Sequence, residues 1–563
     1  MTRAVRVVTD VAAVDKAFDY LVPDTLTHVG VGDRVRMNFN GRSVRGWVSP
    51  DQVGESEHAL KPLVKWLGFG PPPELWPVLA WAAWRWAAPL SRFLLAASPT
   101  RIVANLPTPP VKTDVLTTQE YAPGVWQLAP TVDPLALILS AYQATSSSPG
   151  SLLVLVPTEA WAQRLRGRLE QRGLAVAEGD GQWDRMRAQW PVIVGARGTA
   201  FAPTPRLAGA VIIDGDDEGY RSEASPTWWA PAVVAERCRR DGAPLWVTSV
   251  LPSPATMQLG PLQEPPTELA QWPSLDIVDR RNRDPHEGVL SEPALRAAHA
   301  ALDGSEEVAV AVILQRLGSG RLFACRRCGE LARCATCGQA EVEAGERLAC
   351  PEGHGERENF CLGCSATNLR KVRVGVTTLA RDVGLQLRQE VTEITATTPP
   401  GPTARVVVGT EAVFGRLRRC GVVIFVDFDQ YLLAPRDSAR RQAVGAITKA
   451  GRLVGPRRDG RGLVVVQTRR DDDVIAALRS GQLGPLRDSD DEAAFALGLT
   501  PYAATAEISG EGAAGYVASI DSTGLTIRQR DGVTTVRAAS VAQLCDALAA
   551  ASRTGGRLRV AVS

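Results

Sequence analysis

The chain has 563 residues, of which 45% are hydrophobic and 22% charged, with a formal net charge of +2. This near-average balance excludes a disordered or low-complexity protein, and no apolar run of roughly 18 residues or more is present to suggest a membrane-spanning helix. The small net charge does not announce a nucleic-acid binder, and the length accommodates about three or four domains.

In chain order, residues 4–8, 34–37 and 44–48 read as short strands separated by Gly- and Asn-bearing turns, which predicts a small β-barrel. Charges at Arg3, Arg6, Asp10, Asp15 and Lys16 interrupt the first twenty residues, so no secretory leader is expected and the chain is expected to be soluble and cytoplasmic. Pro71, Pro72 and Pro73 introduce a helical stretch over 74–97, whose Trp76, Trp81, Trp84 and Trp86 read as core packing rather than a base-stacking platform. Residues 107–110 form a linker. From about Val125 the pattern becomes α/β, with strands over 151–156, 192–194, 209–214 and 244–249 and an arginine-bearing helix over 159–172. After a Pro-rich break near 252–267, a second α/β segment has strands over 308–314, 405–408 and 422–427. The last part predicts strands over 515–520, 526–528 and 557–562 and a helix over 541–551. Strands alternating with helices imply parallel sheets with crossover connections.

Seven of the ten cysteines fall between Cys325 and Cys364. Six form three CxxC knuckles, Cys325/Cys328, Cys334/Cys337 and Cys361/Cys364, and a half-pair, Cys350 with His354, lies between the second and third. Two thiolates two residues apart can point at one ion, and tetrahedral Zn²⁺ needs two such pairs. Eight donors in four pairs therefore predict two structural zinc ions, with a single ion as the lesser reading. Disulfides fit less well, because nothing else in the chain looks secreted. Four protein ligands per ion leave no open position, so a catalytic metal is not expected. Cys238, Cys420 and Cys545 read as buried thiols. The histidines form no catalytic grouping.

Several segments together resemble one family, PriA (primosomal protein N′), the bacterial replication-restart helicases. Phe18-Asp19-Tyr20-Leu21-Val22-Pro23, then Gly32-Asp33-Arg34-Val35-Arg36, Asn38-Phe39-Asn40-Gly41-Arg42 and Gly46, look like its 3′-end-binding domain. The CxxC series followed by Gly409-Thr410-Glu411, Val426-Asp427-Phe428-Asp429 and Ala450-Gly451-Arg452 resembles its second lobe. Ser249-Val250-Leu251-Pro252-Ser253 and Ala496-Leu497-Gly498-Leu499-Thr500-Pro501-Tyr502 resemble its SATPS motif and C-terminal domain. No winged-helix segment is evident between 100 and 125, where the family carries one.

The motor motifs depart from the family. GxxxxGK[ST], which cradles phosphates with backbone amides and neutralises them with a lysine, occurs nowhere; at its place the chain reads LAPTVDPLAL over 128–137. The acidic DEEH motif becomes Asp214-Gly215-Asp216-Asp217, which reads either as a metal-holding group or as a solvated acidic turn. QVAGRAGR becomes 448–455 TKAGRLVG, with Gly455 where the closing arginine belongs. An arginine finger is worth about 10³–10⁵ in rate. The pattern is similar to the actinobacterial-type members of the family, described as lacking helicase activity.

The resemblance implies an α/β multidomain protein with two helicase-like (RecA-like) lobes, an N-terminal β-barrel-like domain, a two-zinc insertion and a C-terminal α+β domain. The boundaries expected are 1–110 for the 3′-DNA-end-binding domain, 111–262 for lobe 1, 263–480 for lobe 2 with its insertion at 321–368, and 481–563 for the C-terminal domain. The same resemblance implies a 3′-end pocket of Phe18, Asp19, Gly41 and Lys61, in which Phe18 stacks on the terminal base, Asp19 accepts from the 3′-hydroxyl and Lys61 meets a phosphate. On the residues alone, Phe18 reads equally as barrel core and Asp19 as a turn cap. By analogy Cys325, Cys328, Cys361 and Cys364 share one zinc, and Cys334, Cys337, Cys350 and His354 the other. Arg326, Arg327 and Arg333 flank the knuckles and could touch DNA or a partner. The basic stretch 436–461 reads either as a track for a DNA backbone or as a solvated helix and loop.

The function implied is recognition of stalled or branched replication forks for restart and primosome assembly, without ATPase activity and with no bound ATP expected. Single-stranded DNA-binding protein and a helicase loader are the partners implied, with no membrane and a nucleoid-associated location. The alternatives are an ATP-dependent 3′-5′ helicase with a divergent nucleotide site, and a zinc-containing interaction scaffold of the replisome.

Overall fold

The computed structural model describes residues 3–11, 16–53, 59–115, 117, 119–179, 181–266, 268–281, 288–304, 306–315, 322–328, 330, 332–336, 341–345, 347–350, 353–372, 376–433, 436–553 and 555–563. The N-terminal sheet holds β1 (Ala4–Thr9), β2 (Ala17–Leu21), β3 (Arg34–Phe39), β4 (Arg42–Val48) and β5 (Lys65–Trp66), in the antiparallel order β2-β1-β4-β3-β5. The segment leading into β5 also bridges back to β2 through Leu21 and Pro62, so the sheet closes on itself. Alternate residues (Val5, Val7, Tyr20, Val35, Met37 and Val48) fill the interior, as a period of two requires. Asn40 and Gly41, at φ of 48° and 75°, make the two-residue turn between β3 and β4, a type I′ geometry for which Asn-Gly is the preferred pair.

The helical stretch expected over 74–97 is two helices, Trp76–Arg85 and Leu90–Ala96, divided at Ala87 (φ 43°) and Pro89. Trp76 and Trp86 are buried in the core, as expected, and Trp81 packs against it. Among the described residues between 100 and 123 there is no helix or strand.

Next come β6 (Gly124–Gln127), β7 (Ser151–Leu155), β8 (Val176–Glu178), β9 (Val192–Gly195), β10 (Leu207–Ile212), β11 (Leu245–Ser249) and β12 (Leu262–Gln263), a parallel sheet ordered β12-β6-β11-β10-β7-β9-β8. The strands β7 and β10 are buried at every position, which is why they read as continuous apolar runs rather than alternating ones. The second parallel sheet contains β13 (Ser274–Asp279) and β14 (Val310–Ile313). It is interrupted by an insertion holding β15 (Leu322–Cys325), β16 (Val342–Ala344), β17 (Arg347–Ala349), β18 (Glu356–Glu358) and β19 (Leu369–Val372). It resumes with β20 (Val391–Ile394), β21 (Val406–Gly409), β22 (Val422–Phe425) and β23 (Leu463–Thr468), in the order β13-β23-β22-β14-β21-β20.

The C-terminal part is an antiparallel sheet of β24 (Ala504–Ser509), β25 (Thr526–Arg530), β26 (Val533–Ala538) and β27 (Arg559–Val562), ordered β25-β26-β24-β27, with the helix Val541–Ala550. Here the strand expected over 515–520 is instead part of a helix, Ala513–Ala518. Its buried positions Ala513 and Tyr516 follow the helical period, Ile520 is buried just beyond its end, and the Tyr516 hydroxyl donates to the Leu548 carbonyl at 2.6 Å. The fold is thus α/β and multidomain. By compactness it forms two units, one of residues 1–127, 133–264 and 488–563, the other of 128–132 and 265–487. In the first unit, the Trp-bearing helices, the parallel sheet and the C-terminal sheet share one core. Among the described residues no helix is long and apolar enough to cross a membrane.

Candidate nucleic-acid interface and metal centre

Phe18 lies on β2 facing the barrel, partly buried, with its ring 4.7 Å from that of Phe39 at a tilt of 58°. Phe39 precedes the Asn40-Gly41 turn, so Phe18 stands close to that turn. A Cβ at Gly41 would meet nothing within 4 Å, so the glycine answers to its positive φ rather than to crowding. Strand alternation turns Asp19 to the other face of β2, opposite Arg6 on β1. Arg6 grips it with two parallel hydrogen bonds, Nε to Oδ1 at 2.8 Å and Nη2 to Oδ2 at 3.1 Å. The Asp19 carboxylate is therefore fixed, with only its remaining lone pairs free to accept from a ligand. Lys61 is exposed, and its carbonyl accepts the Leu21 amide at 2.9 Å, which places it at the far end of β2 from Phe18. Arg6 was missed in the sequence because only the β1–β2 register reveals it.

In the insertion, β15 pairs with β19 and delivers Cys325 to the loop that holds Cys361 and Cys364. The ligand atoms of Cys325, Cys328, Cys361 and Cys364 all lie within 4.8 Å of one another, with Cys325–Cys364 and Cys328–Cys361 sulfur pairs each at 3.5 Å. That is too long for a disulfide (about 2.05 Å) and close to the roughly 3.8 Å between sulfurs on a tetrahedral zinc with Zn–S of about 2.3 Å. Cys334, Cys350 and His354 form a second group within 4.8 Å, with Cys350 Sγ 3.5 Å from His354 Nδ1. Cys337 lies outside the described residues. The amides of Arg327 and Thr336 donate to the sulfurs of Cys325 and Cys334 at 3.3 and 3.4 Å, which suits thiolates in knuckle turns. Both clusters can hold a metal ion, and their donor sets fit zinc.

Around these clusters, Glu341 is buried and held by Arg357, which bonds its carboxylate through Nε at 2.8 and 2.9 Å. Arg326 and Arg327 are exposed. Arg333 is more enclosed; burial lowers its guanidinium pKa, as does Arg470, whereas Asp429 raises it.

In the segment 128–137, Asp133 accepts the Leu135 amide at 3.1 Å, at the start of the helix Leu135–Ala144, and is paired with Arg168. A carboxylate thus occupies the start of this helix, where it would repel an anion. In the acidic turn, Asp216 accepts from the Ser249 hydroxyl (2.7 Å), the Ser253 amide (3.2 Å) and the Thr256 hydroxyl (2.8 Å), and Asp217 accepts the Gly219 amide. The turn is thus bonded into the Ser249–Ser253 segment. Among the described residues it forms no metal-binding group. In the second unit, Lys449 pairs with Glu411 at 3.1 Å, and Gly455 ends the helix Ala439–Val454 at φ +88°. An arginine there would have to adopt a backbone conformation that favours glycine.

Within the basic stretch, Arg440 meets Asp473 and Arg441 meets Asp437, while Arg436, Arg457 and Arg461 are exposed. Cys238, Cys420 and Cys545 are buried, as expected, and desolvation pushes their thiols up to about 12, 12 and 11.

A family model described as the PriA 3′DNA-binding domain matches residues 6–99. The replication restart protein PriA of Bacillus subtilis is 25% identical over 280 residues, covering 45% of this chain and 33% of that protein. The probable replication restart protein PriA of Mycobacterium tuberculosis is 26% identical over 431 residues, covering 66% of this chain and 65% of that protein. The chain therefore spans a third to somewhat under two thirds of the length of these relatives. Among solved structures, the DUF1998 helicase MrfA bound to DNA aligns with a TM-score of 0.34 at 13% identity, covering 64% of this chain and 46% of that one.

Proposed function

We propose, for a chain that is a PriA-type protein by its 3′DNA-binding domain and its curated relatives, that it recognises the 3′ ends of stalled or branched forks for replication restart, without hydrolysing nucleotide. The observation that carries the DNA-binding half is the match of residues 6–99 to the 3′DNA-binding domain, laid over a closed barrel with Phe18 beside its Asn40-Gly41 turn. In this reading Phe18 stacks on the terminal base, Asp19, oriented by Arg6, accepts from the 3′-hydroxyl, Lys61 meets a phosphate, and Gly41 shapes the turn beside Phe18.

Support for the absence of turnover comes from Asp133, paired with Arg168, at the start of the helix Leu135–Ala144 and from the glycine at 455. Two zinc ions hold the insertion, one on Cys325, Cys328, Cys361 and Cys364, the other on Cys334, Cys337, Cys350 and His354. The protein works in the cytoplasm at the nucleoid, with single-stranded DNA-binding protein and a helicase loader as partners.

The test is equilibrium binding, at fixed salt, to a fork whose leading-strand 3′ end carries a hydroxyl or a phosphate. The hydroxyl form should bind more tightly, and Phe18→Ala should remove about 1–3 kcal/mol of that affinity, the worth of one stacked base. Equal affinity for the two ends would contradict the pocket.

A further inference from the structure

The outer face of the N-terminal sheet carries a row of cations that the end pocket does not use. The register sets Arg45 of β4 directly opposite Arg36 of β3, and Arg36 directly opposite Lys65 of β5. Along β3, Val35 and Met37 are buried in the barrel while Arg36 and Asn38 are exposed, so the row stands on the solvent side. All three cations are exposed. With strands about 4.8 Å apart, the row crosses roughly 10 Å of sheet.

Like charges set directly opposite across strands repel and weaken a sheet. Among the described residues, Arg36 and Lys65 have no acid within ion-pair distance, and Arg45 has Asp10 at 3.0 Å. A further cation adjoins the row: Arg34 has its guanidinium pKa lowered, first by burial and then by Arg45. The next pair along the same face, Asn38 opposite Ser43, adds exposed amide and hydroxyl groups and no carboxylate. A polyanion with evenly spaced charges relieves this repulsion, and the neighbouring polar groups suit a sugar-phosphate chain better than an apolar peptide.

We propose that Arg45, Arg36 and Lys65 form a second nucleic-acid contact, a phosphate track on the outer face of the sheet, separate from the end pocket at Phe18. The proposal rests on the DNA-binding reading above. The probe is a covalently closed dumbbell duplex, which has no 3′ end, with a circular single strand as the second arm. Affinity is measured across a salt series for the wild-type chain and for Arg36→Gln/Lys65→Gln.

In at least one arm the double variant should flatten the slope of log K against log salt by two phosphates' worth, about 1.8 on the duplex or about 1.4 on the single strand, and each single variant by half of that. Its thermal midpoint should hold or rise, since repulsion is removed; the single variants carry the test if the double variant does not fold. Slopes unchanged in both arms, with wild-type binding intact, would overturn the track and leave the end pocket standing. A wild-type chain that binds neither these probes nor open forks would overturn the DNA-binding reading and the track with it.

Discussion

Asp216 and Asp427 show how single carboxylates have been absorbed into structure. Asp216 accepts two hydroxyls and one amide from the end of β11 and the segment that follows it. Asp216→Ala leaves those donors without an acceptor and should cost about 1–3 kcal/mol of stability, read as a lowered thermal midpoint. An unchanged midpoint would mean that water replaces the carboxylate freely. Asp427 is partly buried, and desolvation lifts its pKa from the ordinary 3.8 to about 6; Asp429 adds to the rise, while Arg469 and Arg333 oppose it. A raised carboxylate favours the folded state most when protonated. Its contribution is therefore in place below about pH 4 and is lost as pH rises to about 6. Asp427→Asn should raise the thermal midpoint at pH 7.5 relative to wild type, and by much less near pH 4. Equal shifts at both pH values would show that the carboxyl does not titrate in this window.

Elements differ in how openly the sequence declares them. The parallel strands were legible because burial on both faces leaves uninterrupted Val, Ile and Leu, as in β7 and β10. The knuckles were legible because ligand spacing is local. The strand β2 was not, since apolar Ala17 and Leu21 on its outward face blur the alternation, and it is held by pairing with β1. The helix Ala513–Ala518 was misread because β-branched Val517 and aromatic Tyr516 favour strands, while its burial at positions 513 and 516 is tertiary. For the insertion, the small apolar cluster of Phe323, Ala332 and Leu348 is too slight to fold such a segment alone. Metal analysis should therefore give two zinc ions per chain and Cys361→Ser only one, and chelation should abolish amide-exchange protection across β16–β18 while β14 and β22 stay protected. Full protection of the insertion after complete metal removal would contradict this.

At the scale of the whole chain, two parallel α/β lobes were foreseeable from alternating strands and helices, whereas the side-chain contacts around residues 128–137 were not. The loss of GxxxxGK[ST] is visible in the sequence; that Asp133 caps the following helix and pairs with Arg168, 35 positions away, depends on the fold. The same holds for the cation row, since Arg36, Arg45 and Lys65 become neighbours only through the β4-β3-β5 register. The central claim is DNA recognition on a motor-like scaffold that does not turn over nucleotide. Its most direct test is the rate of ATP hydrolysis by the zinc-loaded chain, with and without a forked DNA at a concentration shown to saturate it. The account predicts the same background rate in both cases, and a DNA-stimulated rate that disappears on removal of the protein would contradict it.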